Sequence, residues 1–145
     1  MSTRGLIAIE DSDKKVRAIF VQSDMYVEYA GQILHEHYNS EEKAYALLAL
    51  GSLSAIRERL SPESGETHNY DKPAQDICIA FHRDRGDQFS APTVFENAKT
   101  MQKNILGEYW ASYCYLYRNN QWYVSSVNDY SWTPITQALK ECNPC

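Results

Sequence analysis

The densest run of chemically capable side chains is Phe81-His82-Arg83-Asp84-Arg85-Gly86-Asp87. It sets the guanidiniums of Arg83 and Arg85, the carboxylates of Asp84 and Asp87 and the His82 imidazole directly after Ile77 to Phe81, which reads as a buried strand. Paired planar guanidiniums clamp phosphate or carboxylate through two parallel hydrogen bonds, so Arg83 and Arg85 are candidate anion ligands. The same charges could pair with Asp84, Asp87 or the acids of the first helix and merely tie a loop down.

A second constellation lies between Asp24 and Tyr38, where the apolar period is helical. At about 100° per residue, Asp24, Glu28, Gly31 and His35 share one side, and Tyr26, Ala30, Ile33 and His37 are centred on the other. Carboxylates and an imidazole around a glycine suit acid/base work or a divalent ion, although a solvated helix face has the same composition. If this helix docks on the sheet beside the arginines, Arg83 or Arg85 comes within ion-pairing reach of Asp24 or Glu28, and Tyr26, His82 and Asp87 complete the surroundings. His35-Glu36-His37 is not a zinc-protease motif, because residues two apart on a helix point about 200° from each other. His37 falls on the apolar side and is expected in the core.

The third feature is aromatic. The chain has 11 tyrosines and 3 tryptophans, many of them in Tyr109-Trp110, Tyr113, Tyr115, Tyr117, Trp122-Tyr123, Tyr130 and Trp132. Strand alternation sets Tyr113, Tyr115 and Tyr117 on one face and Cys114 and Leu116 on the other. With the small apolar pair taken as the core side, the tyrosine row faces solvent as a recognition surface. The other arrangement buries it beneath the final helix. No G-x-S-x-G, Gly-rich phosphate loop or G-x-G-x-x-G is present, so the balance favours binding over catalysis. No cofactor is implied. The cysteines Cys78, Cys114, Cys142 and Cys145 are expected as free thiols, and Cys142-Asn143-Pro144-Cys145 alone supplies only half a tetrahedral zinc site.

The elements that must position these residues follow from period and punctuation. Thr3 to Ile9 and Lys15 to Gln22 form an opening hairpin around Glu10-Asp11-Ser12-Asp13, with Val16, Ala18 and Phe20 on one face. After the first helix, Asn39-Ser40-Glu41-Glu42 starts a second, which Gly51 closes and whose stripe is Ala44, Leu47 and Leu48. A helical turn is expected over Leu53 to Leu60, a long surface loop over Ser61 to Pro73, and a charged loop over His82 to Gln88. Val94, Ala98, Met101 and Ile105 are spaced for a helix. Tyr109 to Tyr117 and Gln121 to Val127 make a hairpin about Asn119-Asn120. Thr133-Pro134 caps a last helix with Ile135, Ala138, Leu139 and Cys142 inside. The sum is one α+β domain over residues 1–145, an antiparallel sheet of about five strands with helices packed against it.

Composition sets the outer bounds. A hydrophobic fraction of 43% is that of a globular chain. No apolar run approaches the roughly 20 residues of a bilayer span, and no signal-peptide core follows Arg4, which points to the cytoplasm. The formal charge is 14 − 19 = −5, so the long-range field disfavours direct nucleic-acid binding.

Asp24, Tyr26, Glu28, Gly31, Leu34, His37-Tyr38 and Arg83-Asp84-Arg85-Gly86 together resemble a family of small, largely uncharacterised bacteriophage and prophage proteins. Its members open with a short hairpin, continue with a Trp-Asp-Gly-Tyr-Pro-Glu-like run into a Gly…Leu…His-Tyr helix, and later carry a Gly-Arg-Asp-Arg-Gly-Glu-like run. The resemblance spans roughly residues 4 to 88. Ser23, Met25, Val27, His82 and Asp87 depart from it, standing where the family has Trp, Gly, Pro, Gly and Glu. It implies a phage origin and a role in the cytoplasm of the infected bacterium, and brings no settled activity. The expected function is a phage accessory protein that binds and modulates or inhibits a host protein, such as a component of a CRISPR or restriction system. The alternative is a nucleotide or phosphate-ligand binding protein, either a phosphodiesterase or a sponge for a signalling nucleotide. A virion component fits less well, since nothing suggests extended assembly.

Overall fold

The computed structural model describes residues 3–104, 111–127 and 129–142. Strands β1 (Gly5–Glu10) and β2 (Val16–Val21) pair antiparallel, from Gly5 opposite Val21 to Glu10 opposite Val16. The run Leu6-Ile7-Ala8-Ile9 is apolar without alternation because β1 lies in the middle of a sheet covered on both faces. Ile7 and Ile9 point into the larger core, and Leu6 and Ala8 into a smaller one.

Along its other edge β1 is joined in parallel by β6 (Tyr113–Arg118), with Gly5 opposite Tyr113 and Ile9 opposite Tyr117. Strand β7 (Gln121–Ser126) returns antiparallel after Asn119 and Asn120, whose φ angles of 51° and 62° make the expected tight turn. Strand β8 (Asp129–Pro134) closes that side. The outer edge of β2 is shared: β5 (Thr93–Phe95) pairs antiparallel with Val16 to Ala18, and β3 (Leu53–Ala55) pairs in parallel at Val21, followed by β4 (Ile79–Ala80). The path is β4-β3-β2-β1-β6-β7-β8 with β5 beside β2.

The α+β class is as expected, but the sheet is mixed and has eight strands among the described residues, not five antiparallel ones. Strands β3, β4 and β5 are too short for a period to register. The two parallel pairings join segments distant in sequence, which no local pattern encodes. Residues 53–60 accordingly hold a strand where a helical turn was expected. The charged loop after β4 instead begins with a short helix, α3 (Phe81–Arg85), ended by Gly86 at φ 87°.

The large face is covered by α1 (Gln32–His37), α2 (Glu41–Leu48) and α5 (Ile135–Cys142). Helix α2 has Ser40 as its cap, the hydroxyl accepting the Lys43 N–H at 3.2 Å, and buries Ala44, Leu47 and Leu48 as the stripe predicts. A π-helical turn, Val27–Gly31, leads into α1. Val27, Ala30, Ile33, Leu34 and Tyr38 face inward, and His37, the last residue of α1, lies at the surface with its side chain 40% exposed. That corrects the expected core histidine. Helix α4 (Ala98–Asn104) covers the smaller core with Ala98 and Met101; Ile105 lies outside the described residues. No helix among the described residues is long and apolar enough to cross a membrane.

Candidate functional site

The Arg83 run is a clasp. Asp84, with a side chain 4% exposed, accepts the Ala80 N–H at 2.8 Å and two N–H bonds from Arg83 at 2.8 and 2.9 Å. Arg83 Nη2 also donates to the Cys78 carbonyl at 2.7 Å, and Nη1 to the Leu60 carbonyl at 2.5 Å and Ser61 Oγ at 3.0 Å. Those contacts engage all five guanidinium donors, so Arg83 has none left for a ligand. His68, with no exposed side-chain surface, accepts the Ala74 N–H at Nδ1 (2.9 Å). Its proton therefore sits on Nε2, which lies 3.1 Å from the Cys78 carbonyl and 3.3 Å from Asp84. Burial raises the Asp84 carboxyl, but the Arg83 and Ala80 hydrogen bonds and the charge of Arg83 outweigh it and hold the group below its ordinary value.

Beside it, Arg59 makes paired bonds to Glu66 (2.6 and 2.7 Å) and Asp76 (2.8 and 2.9 Å), closing the segment between Arg59 and Asp76 like a buckle. The Arg59 bonds lower Glu66 to about 2 and also lower Asp76. Arg85 is tied to Asp87 at 2.6 and 2.9 Å and lies over the Tyr70 and Phe81 rings at 5.0 and 4.5 Å. His82 donates from Nδ1 to the Asp87 carbonyl at 2.7 Å. The Cys78 thiol is raised by burial and sits against Tyr38 Oη and the Arg57 backbone rather than His68, so no nucleophile and base pair forms here.

The predicted composite with the first helix does not form. The bonds of Arg83 and Arg85 go to the partners just named and not to Asp24 or Glu28. Asp24 precedes the helix in a left-handed conformation, φ 61°. Glu28 is exposed and lies by the C-terminus of α5, where burial and a hydrogen bond to Glu28 push the Cys142 thiol up to about 11. His35 is half-buried and Tyr26 is 38% exposed, its ring 6.0 Å from that of Tyr29. Gly31, expected to leave room for a ligand, is instead a packing contact: a Cβ there would lie 2.9 Å from Ile135 Cδ1 of α5.

The tyrosine row is also corrected. Tyr115 is 0% exposed, Tyr117 5%, and Tyr113 is half-buried, because α5 and the helices after β2 cover that face. Tyr115 Oη donates to the Met25 carbonyl at 2.6 Å, and burial raises its pKa well above the ordinary value. Cys114 and Leu116 are buried on the opposite face, so both sides of β6 are core. Cys78, Cys114 and Cys142 are free; Cys145, Tyr109 and Trp110 lie outside the described residues. Among the described residues no three His, Cys, Asp or Glu side chains are grouped to hold a metal ion.

A cleft of about 610 Å³ that the sequence did not announce opens on the opposite face of the sheet. It is lined by Glu10 at the end of β1, Lys14 in the hairpin turn, Asn97, Ala98, Lys99, Gln102 and Lys103 of α4 and its approach, Arg118 at the end of β6 and Trp132 of β8. Among the described lining residues four cations meet one carboxylate, a charge of 4 − 1 = +3 in a chain of −5. Glu10 lies 3.9 Å from both Lys14 and Arg118, the outer limit of pairing. The Arg118 guanidinium lies 5.0 Å from the centre of the Tyr123 ring and 5.8 Å from that of Trp132, which fixes its place without satisfying its charge. Lys99 and Lys103 are one helical turn apart on α4 and both exposed. That i, i+4 pair was the only local signal; the rest of the cleft is assembled by strand pairing. Its size falls within the usual 300–1,000 Å³ range of ligand sites. Comparisons with protein-family models, with curated proteins and with solved structures return no match, and the functional reading rests on this geometry.

Proposed function

We propose that the chain is a non-catalytic binding protein whose ligand is a small polyanion held in the cleft between α4 and the two hairpin ends. The observation that carries this reading is the meeting of Lys14, Lys99, Lys103 and Arg118 on one cleft with Glu10 as the only acid among the described lining residues. Cations with so little opposing charge repel one another, and a bound anion relieves that repulsion. The biological setting comes from the sequence resemblance: a bacteriophage protein in the infected cell, serving counter-defence by withholding a small anion from the host. Inhibition by direct contact with a host protein draws less support, since Tyr115 and Tyr117 are spent in the core and the exposed Tyr26, Tyr45, Phe89 and Val94 lie on separate segments of the chain.

Thermal unfolding with and without inorganic tripolyphosphate tests the reading. At low ionic strength the midpoint should rise with tripolyphosphate, the rise should shrink with added salt, and the Lys99→Gln/Lys103→Gln double variant should lose it. No rise in the wild-type protein at millimolar tripolyphosphate removes the proposal.

A further inference from the structure

Resting on that reading, we infer that the cleft is built for a nucleotide rather than an inorganic polyanion, with Trp132 as the platform for its base. Three features point this way. The cations that line the cleft come from three elements: Lys14 from the β1–β2 turn, Lys99 and Lys103 from α4 and Arg118 from the end of β6. A compact anion satisfies one cluster of charge, whereas a phosphate chain carried on a larger body can reach several.

The cleft walls are also partly apolar. Ala98, the Trp132 indole and the aliphatic stems of the lysines line it. An inorganic anion engages the ammonium heads and leaves those walls wet, while a planar base buries them. Trp132 is half-buried and packed against the smaller core, which fixes its position at little entropic cost on binding. Finally, the Arg118 guanidinium lies over Tyr123 and Trp132 and close to Glu10, so a charge for phosphate and an aromatic ring for a base are held next to each other. Stacking a base on an aromatic side chain tolerates any base, so the class inferred is nucleotide and not one particular base.

Calorimetric titration of the full chain with ATP, adenosine and tripolyphosphate, together with tryptophan emission, tests this. ATP should bind at least about tenfold more tightly than tripolyphosphate, the scale of one base stack. ATP should also quench emission and tripolyphosphate should not, and the quench should be absent in the Trp132→Leu variant, which assigns it to the indole that lines the cleft. Trp132→Leu should cut ATP affinity about tenfold further than tripolyphosphate affinity, so that the preference for ATP over tripolyphosphate is lost. The wild-type comparison stands even if that variant folds poorly. Equal affinity for ATP and tripolyphosphate without quenching overturns the base platform and leaves the polyanion reading in place. Failure of both to bind overturns the two together.

Discussion

Arg83 and Arg118 both sit beside a strand end, yet one is consumed by the protein and the other is presented by it. Around Arg83, Asp84 and three carbonyl or hydroxyl acceptors satisfy every donor, with Asp84 almost wholly covered. Around Arg118, the described residues offer two ring faces and one carboxylate at 3.9 Å, with three lysines nearby. The difference teaches that charge density in a sequence does not distinguish a clasp from a site. What decides is whether opposite charges and backbone acceptors arrive in equal number.

The largest effect is expected outside both regions and sets the scale for them. Tyr115→Ala removes a fully buried ring, and unfolding in urea should show a loss of about 3–5 kcal/mol. Tyr115→Phe removes only the bond to the Met25 carbonyl and should cost about 1–2 kcal/mol. A change under about 1 kcal/mol for the alanine variant would return the tyrosine to the surface.

Next comes the clasp itself. Arg83→Ala leaves Asp84 ionised and covered, and should destabilise by about 3 kcal/mol, as breaking a buried pair does. If urea unfolding of the variant matches wild type, the clasp is ornamental and Arg83 returns to the list of ligand-binding candidates.

Acid should separate the regions more finely. Asp84, Glu66 and Asp76 all have folded values below their ordinary ones, from 4.5 to about 2 for Glu66. A depressed carboxyl stabilises above its unfolded value and loses that contribution as pH falls through the folded one. Between about pH 4.5 and 2 the clasp and buckle should therefore loosen. Hydrogen exchange should show residues 61–76 opening before α4. Simultaneous opening of both would mean that the carboxylates do not hold the segment.

The smallest stability effect is expected in the cleft. Lys99→Gln with Lys103→Gln should change stability by less than about 0.5 kcal/mol in urea, as exposed substitutions do, while weakening tripolyphosphate binding by about tenfold or more. A large stability loss would show these lysines to be structural, and would place the cleft with the clasp.

By itself the sequence determined the elements whose signals are local. These are the opening hairpin, the Ser40-capped α2 with its Ala44, Leu47 and Leu48 stripe, the Asn119-Asn120 turn and the apolar side of α5. Period, cap and turn chemistry act over a few residues and can be read there. The tertiary structure decided everything that depends on meeting partners. His37 came to lie at the exposed end of α1, parallel pairing of β1 with β6 placed the tyrosine strand inside a sheet covered on both faces, and Gly31 became a seat for Ile135. The Arg83 run looked like a site because its own acids were the only partners visible, whereas His68, Leu60 and Cys78 reach it only through the fold. The cleft was invisible for the converse reason. Lys14, Lys99, Arg118 and Trp132 are unremarkable apart, and their charges add only when strand pairing brings the β1–β2 turn, α4, β6 and β8 together, because Coulomb interactions depend on distance in space and not along the chain.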